Sequence, residues 1–92
     1  MKNEIDNEML YRAVLSLETV EECEAFFTDL CTIMEIKAMA QRLEVAKMLS
    51  EKQVYNKIVE KTSASSATVS RVNRSLTHGA NGYKTVLGRL EK

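Results

Sequence analysis

Residues 54–76 read V-Y-N-K-I-V-E-K-T-S-A-S-S-A-T-V-S-R-V-N-R-S-L. Apolar residues recur at helical steps on both sides of T-S-A-S: Val54, Ile58 and Val59 before it, Val69, Val72 and Leu76 after it. The spacing predicts two short helices, about Gln53 to Lys61 and from a Ser65 cap to about Thr77, joined by a tight turn. Ile58, Ala64 and Val69 fall where two helices crossing steeply need apolar contacts, with Val72 one turn further on. Two positions depart from the usual pattern. The turn position at Ser63, often glycine, asks a serine for a left-handed backbone, at a cost of about 1 kcal/mol. Val59 is bulkier than the small residue usual where such helices cross.

This is a helix-turn-helix over about residues 53–77. In such a motif one helix braces across the DNA backbone and the next puts its N-terminal residues into the major groove. The reading surface is then Ser66, Ala67, Thr68, Ser70 and Arg71. Short hydroxyl and methyl side chains let a helix approach base edges, Ala and Thr methyls meet a thymine methyl, and Arg bridges guanine O6 and N7. Lys57, Lys61 and Arg74 are candidates for phosphates, which supply affinity without sequence information. The competing reading of the same residues is a helical hairpin with a solvated basic face.

Outward from the motif, the rest of the chain is helical too. There is no proline, glycine occurs 3 times, and hydrophobic residues make up 45% of the 92 residues. All-α is the fold class this implies, with about six helices. Ile5, Met9, Tyr11, Val14, Leu15 and Leu17 lie loosely at helical spacing. T-V-E-E at 19–22 and T-I-M-E at 32–35 are capping boxes, in which Thr accepts an amide and Glu reaches back. The first opens a helix to about Cys31, with Cys23, Phe26, Phe27 and Leu30 on its apolar face. The second opens the longest helix, to near Ser50, with Ile36, Met39, Ala40, Leu43, Ala46 and Leu49 as its core stripe. S-E-K-Q at 50–53 reads as a third box. H-G-A-N-G then breaks the chain, and a last helix carries Tyr83, Val86, Leu87 and Leu90.

Charge divides along the chain. Residues 1–51 carry eleven acidic and five basic side chains; residues 52–92 carry two acidic and eight basic. The net charge of +0 therefore hides a basic half, and that half holds the motif. Cys23 and Cys31, eight residues apart, match no zinc-ligand spacing, and read as free thiols in a reduced, cytoplasmic protein. The acidic N-terminus does not read as a signal peptide, and no apolar run is long enough to span a bilayer. A chain this short has a modest core, which dimerisation would help to stabilise. An enzyme is not expected. There is a single histidine, no nucleophile–base pair by spacing and no glycine-rich phosphate loop. Asp29 and Glu35 read as helix-end carboxylates, and His78 beside Gly79 as a favourable dipole contact.

T-I-M-E at 32–35, A-Q-R-L-E-V-A-K-M-L at 40–49 and A-T-V-S-R-V-N-R-S-L at 67–76 resemble the Trp repressor superfamily, most of all its Trp-repressor-related YerC/YecD group. The resemblance spans about residues 10–90. It implies a six-helix protein in an intertwined homodimer, with residues 1–51 as dimer core, 52–78 as helix-turn-helix head and 81–91 as C-terminal helix. It implies double-stranded DNA and a second copy of the chain as partners, and no membrane. It also carries over the polar frame of an amino-acid corepressor site: Thr32, Arg42, Arg71 and Ser75. The family pattern has glycine after the second arginine, leaving space for an indole; here the position is Val72. A ligand smaller than tryptophan, or none, is therefore expected, and no cofactor. Arg71 stays open between two roles, clamping a ligand or facing DNA, and Arg42 between a ligand contact and an ion pair with Glu35 or Glu44. The function expected is a sequence-specific DNA-binding transcriptional regulator, read as a repressor. The alternative is an adaptor whose helix-turn-helix binds protein.

Overall fold

The computed structural model describes residues 5–91. Six helices follow one another: α1 (Asn7–Leu15), α2 (Val20–Leu30), α3 (Ile33–Ser50), α4 (Tyr55–Thr62), α5 (Ser66–His78) and α6 (Gly82–Leu90). There is no strand among the described residues, so the fold is all-α as the composition requires. By its internal contacts the chain forms two compact units, Met1–Ile36 and Lys37–Lys92, with α3 running from the first into the second.

Helix starts follow the cap chemistry. Thr32 and Glu35 form the full reciprocal box: the Glu35 amide donates to Thr32 Oγ1 at 3.1 Å and the Thr32 amide to Glu35 Oε1 at 2.8 Å. At α2 the Glu22 amide donates to Thr19 Oγ1 at 3.0 Å, but the Glu22 carboxylate takes the Glu18 amide instead of the threonine's own. Asp6 caps α1 by accepting the Glu8 amide.

The third box does not form. Ser50 is still helical, and its hydroxyl donates back to the Lys47 carbonyl at 2.6 Å. The reason lies in how α3 ends. Lys52 takes φ 67°, the Gln53 amide reaches the Met48 carbonyl at 3.1 Å, and the Lys52 amide reaches Leu49 at 3.0 Å. That is a Schellman closure, with lysine where glycine is usual. Consequently α4 starts at Tyr55, with Val54 at the N-cap and no side-chain cap bond.

In the first unit neither α1 nor α2 buries any residue fully. Phe26 and Phe27 meet edge to face at 5.5 Å, while Met9 and Leu15 are 78% and 83% exposed. The expected apolar face of α2 holds in part: Cys23, Phe26 and Phe27 are half-buried and Leu30 is exposed.

The core of the second unit is Val45, Ala46, Met48, Ile58, Ala64, Val69, Val72 and Leu87, with Leu49, Val59 and Tyr83 packed against it. This corrects the stripe expected along the long helix. Met39, Ala40 and Leu43 are exposed, and burial instead begins at Val45. The apolar run of the helix is wide enough to offer more than one face, and only its C-terminal part meets α4, α5 and α6 residues in this core. Val54, expected inward, is also exposed, because it lies outside the helix as its cap. Leu76 is half-buried, and Val86 and Leu90 are exposed.

Candidate nucleic-acid interface

The α4–α5 pair rests on the four apolar positions that the motif requires. Ile58 and Val69 are 0% exposed, Ala64 and Val72 2%. Between the helices Ser63 takes φ 62°, the left-handed backbone expected of it, and its amide donates to the Val59 carbonyl at 2.9 Å.

Thr62 organises this turn. Its hydroxyl donates to the Ile58 carbonyl at 2.7 Å and accepts the Ala64 amide at 3.1 Å. Its carbonyl accepts a bond from Gln41 Nε2 on α3 at 3.1 Å. Sequence reading missed both roles. A threonine two residues before an amide is a local turn signal. The partner on α3, 21 residues away, leaves no such trace.

Helix α5 begins at a working cap. Ser65 Oγ accepts the Thr68 amide at 3.1 Å and hydrogen-bonds the Thr68 hydroxyl at 3.0 Å. Thr68 is half-buried and tied into the cap. Ser66, Ala67, Ser70, Arg71 and Arg74 are all exposed. Their spacing places them on one face of α5, opposite Val69 and Val72. Lys57 and Lys61 are exposed on α4. Among the described residues no carboxylate pairs with any of these four cations; the ion pair present is Arg12–Glu8, at 2.7 Å on α1. The surface is therefore made of small side chains and positive charge without a carboxylate partner among the described residues, over a buried apolar base.

The residues of the corepressor frame lie apart along the chain. The Thr32 hydroxyl is already engaged as the cap of α3. Arg42 is half-buried on α3 and makes no ion pair with Glu44. Ser75 lines an open apolar groove of about 520 Å³ with Leu43, Ala80, Gly82, Tyr83 and Val86; Arg42 and Arg71 do not line it. Val72, where the family pattern has glycine, is packed into the core. His78 ends α5, as expected. Gly79 follows in an extended conformation, and a side chain there would overlap the Ser75 carbonyl. Among the described residues no helix is long and apolar enough to cross a membrane.

Comparison with known proteins agrees with this geometry. The family model described as Trp repressor protein matches residues 6–91. The protein YerC of Bacillus subtilis (strain 168) is 51% identical over 85 residues, covering 92% of this chain and 82% of that protein. The crystal structure of a TrpR-like protein from Eubacterium eligens superposes with a TM-score of 0.88 at 55% identity, over 91% of this chain and 87% of that one. A structure from Staphylococcus aureus gives the same TM-score, 0.88, at 46% identity, over 91% and 84%. With its six helices, its helix-turn-helix over a packed apolar base and a match along nearly its whole length, this chain belongs to the Trp repressor family.

Proposed function

We propose that the protein is a sequence-specific DNA-binding transcriptional regulator that acts as a homodimer through α4 and α5. One observation carries the reading. The exposed face of α5 combines Ser66, Ala67 and Ser70, short enough for close approach, with Arg71 and Arg74, which meet no carboxylate among the described residues. Ser66, Ala67, Ser70 and Arg71 address base edges; Arg74, Lys57 and Lys61 address phosphates. Thr68 stands beside them, half-buried, with its hydroxyl tied to the Ser65 cap. Membership of the Trp repressor family supports DNA as the partner.

The dimer accounts for the first half of the chain. Ile5, Met9, Leu15, Val20, Ile33 and Met34 are all more than 70% exposed, a concentration of uncovered large apolar side chains that favours a covering partner. A second copy covers it, with residues 1–51 as dimer core and 52–78 as reading head. Tryptophan is not the effector, since the buried Val72 side chain stands where the family's glycine leaves space. If a small ligand modulates the head, it is smaller than tryptophan, with Arg42, Arg71 and Ser75 as its candidate polar contacts.

Titration of labelled duplexes tests the proposal. Lys57→Ala should weaken binding to all sequences alike and lower the salt slope by about one. Arg71→Ala should lose preference for the operator over a scrambled duplex. Arg42→Ala should leave binding intact if the head needs no ligand. Equal loss of operator and scrambled binding in Arg71→Ala would remove Arg71 from base reading. A monomeric mass at micromolar concentration would remove the dimer.

A further inference from the structure

We propose that Gln41 is a positioning residue for DNA reading: through its hydrogen bond to the Thr62 carbonyl it latches the helix-turn-helix turn to α3, so that the reading helix is held in place without a bound effector. The inference rests on the DNA-reading function proposed above. It names a residue outside both the reading surface and the corepressor frame.

The turn must fix α5 relative to α4 with a serine, not a glycine, in the left-handed conformation at φ 62°. Such a residue holds only where its surroundings over-determine it. Here Thr62 supplies the local constraint. Its hydroxyl closes on the Ile58 carbonyl at 2.7 Å and takes the Ala64 amide at 3.1 Å. Those bonds stay within the turn and cannot fix it against the rest of the unit. Gln41 Nε2 does that, at 3.1 Å from the Thr62 carbonyl, from a half-buried position on α3. Four residues on, Val45 is fully buried in the core that holds Ile58, Val69 and Val72, so the same stretch of α3 holds the head by packing as well. A polar latch adds direction to that packing: the amide must point at one carbonyl, and a sliding or rotated head breaks the bond.

The experiment compares wild type, Gln41→Met and Gln41→Lys. Methionine keeps length and packing but cannot donate. Lysine restores a donor and adds charge, so the readout is the ratio of operator to scrambled-duplex affinity, in which added charge largely cancels. Gln41→Met should lower that ratio about fivefold, the effect of one neutral hydrogen bond, when affinities are compared well below the melting temperature of every variant. Gln41→Lys should restore the ratio. Amide exchange at Ser63 and Ala64 should quicken in Gln41→Met and recover in Gln41→Lys. An unchanged ratio in Gln41→Met, or one that falls only in step with melting temperature, overturns the latch. If wild type itself shows no operator preference, the DNA-reading function fails, and this role of Gln41 fails with it. Quickened exchange without any change of ratio leaves the bond structural and refutes the positioning role.

Discussion

Replacing Val72 by alanine tests the packing on which the reading head stands. Val72 is 2% exposed and belongs to one cluster with Ile58, Ala64 and Val69. The substitution removes two methyl groups, worth about 1.6 kcal/mol in transfer at ~0.8 kcal/mol per carbon. Alanine regains about 0.5 kcal/mol of helix propensity over a β-branched residue in the middle of α5. The void left behind costs roughly another 0.5–1 kcal/mol, because neighbouring helices relax only in part. The net loss is about 2 kcal/mol. Urea unfolding at one fixed protein concentration measures it, so that the proposed dimer, if it forms, contributes equally to both midpoints. The midpoint should fall with the slope unchanged, whereas Ser70→Ala, on the exposed face, should stay within about 0.5 kcal/mol. A change below about 0.5 kcal/mol for Val72→Ala would refute the packing described for α5. Val72→Gly has a second reading: if the side chain is what excludes an indole, tryptophan should raise the melting temperature of that variant and leave wild type unmoved.

Other outcomes follow from single positions. Lys52→Gly relieves the left-handed backbone at the end of α3 and should stabilise by about 1 kcal/mol, raising the melting temperature by roughly 4–8 °C. Gly79→Ala sets a Cβ against the Ser75 carbonyl and should destabilise by more than about 1 kcal/mol, seen as loss of helical circular dichroism at lower urea. Thr32→Ala opens the capping box of α3 and should cost about 1 kcal/mol in the same assay, whether or not a ligand ever meets that hydroxyl.

The elements that could be read from the sequence are those whose information is local. T-V-E-E and T-I-M-E place two helix starts within a residue, because a Thr and a Glu three apart satisfy amides that nothing else can reach. The α4–α5 pair was legible because Ile58, Ala64, Val69 and Val72 must all be apolar for two helices to cross, and the turn because the motif's spacing puts Ser63 where a left-handed residue is usual. The end of α3 was not legible. S-E-K-Q has the letters of a cap, but Lys52 takes the backbone conformation usually marked by glycine, and nothing in a lysine announces it. The stripe of Met39, Ala40 and Leu43 was legible as apolar but not as uncovered, since periodicity shows which face is greasy and not what meets it. In the candidate site, helical spacing already placed Ser66, Ala67, Ser70, Arg71 and Arg74 on the exposed side of α5. The link between Gln41 and Thr62 could not be read in this way, because it joins two elements through one amide. Thr68 was legible as a surface residue of the motif, while its bond to Ser65, which ties it into the cap, depends on the side-chain torsions of both.

Selection of bound sequences from a random duplex pool, followed by titration of the enriched sequence at rising salt, tests the central claim most directly. The account predicts a near-palindrome with half-sites about one helical turn apart. It also predicts binding that weakens steeply between about 50 and 200 mM salt, as expected when several phosphates are neutralised. No enrichment, or an affinity indifferent to salt, would contradict it.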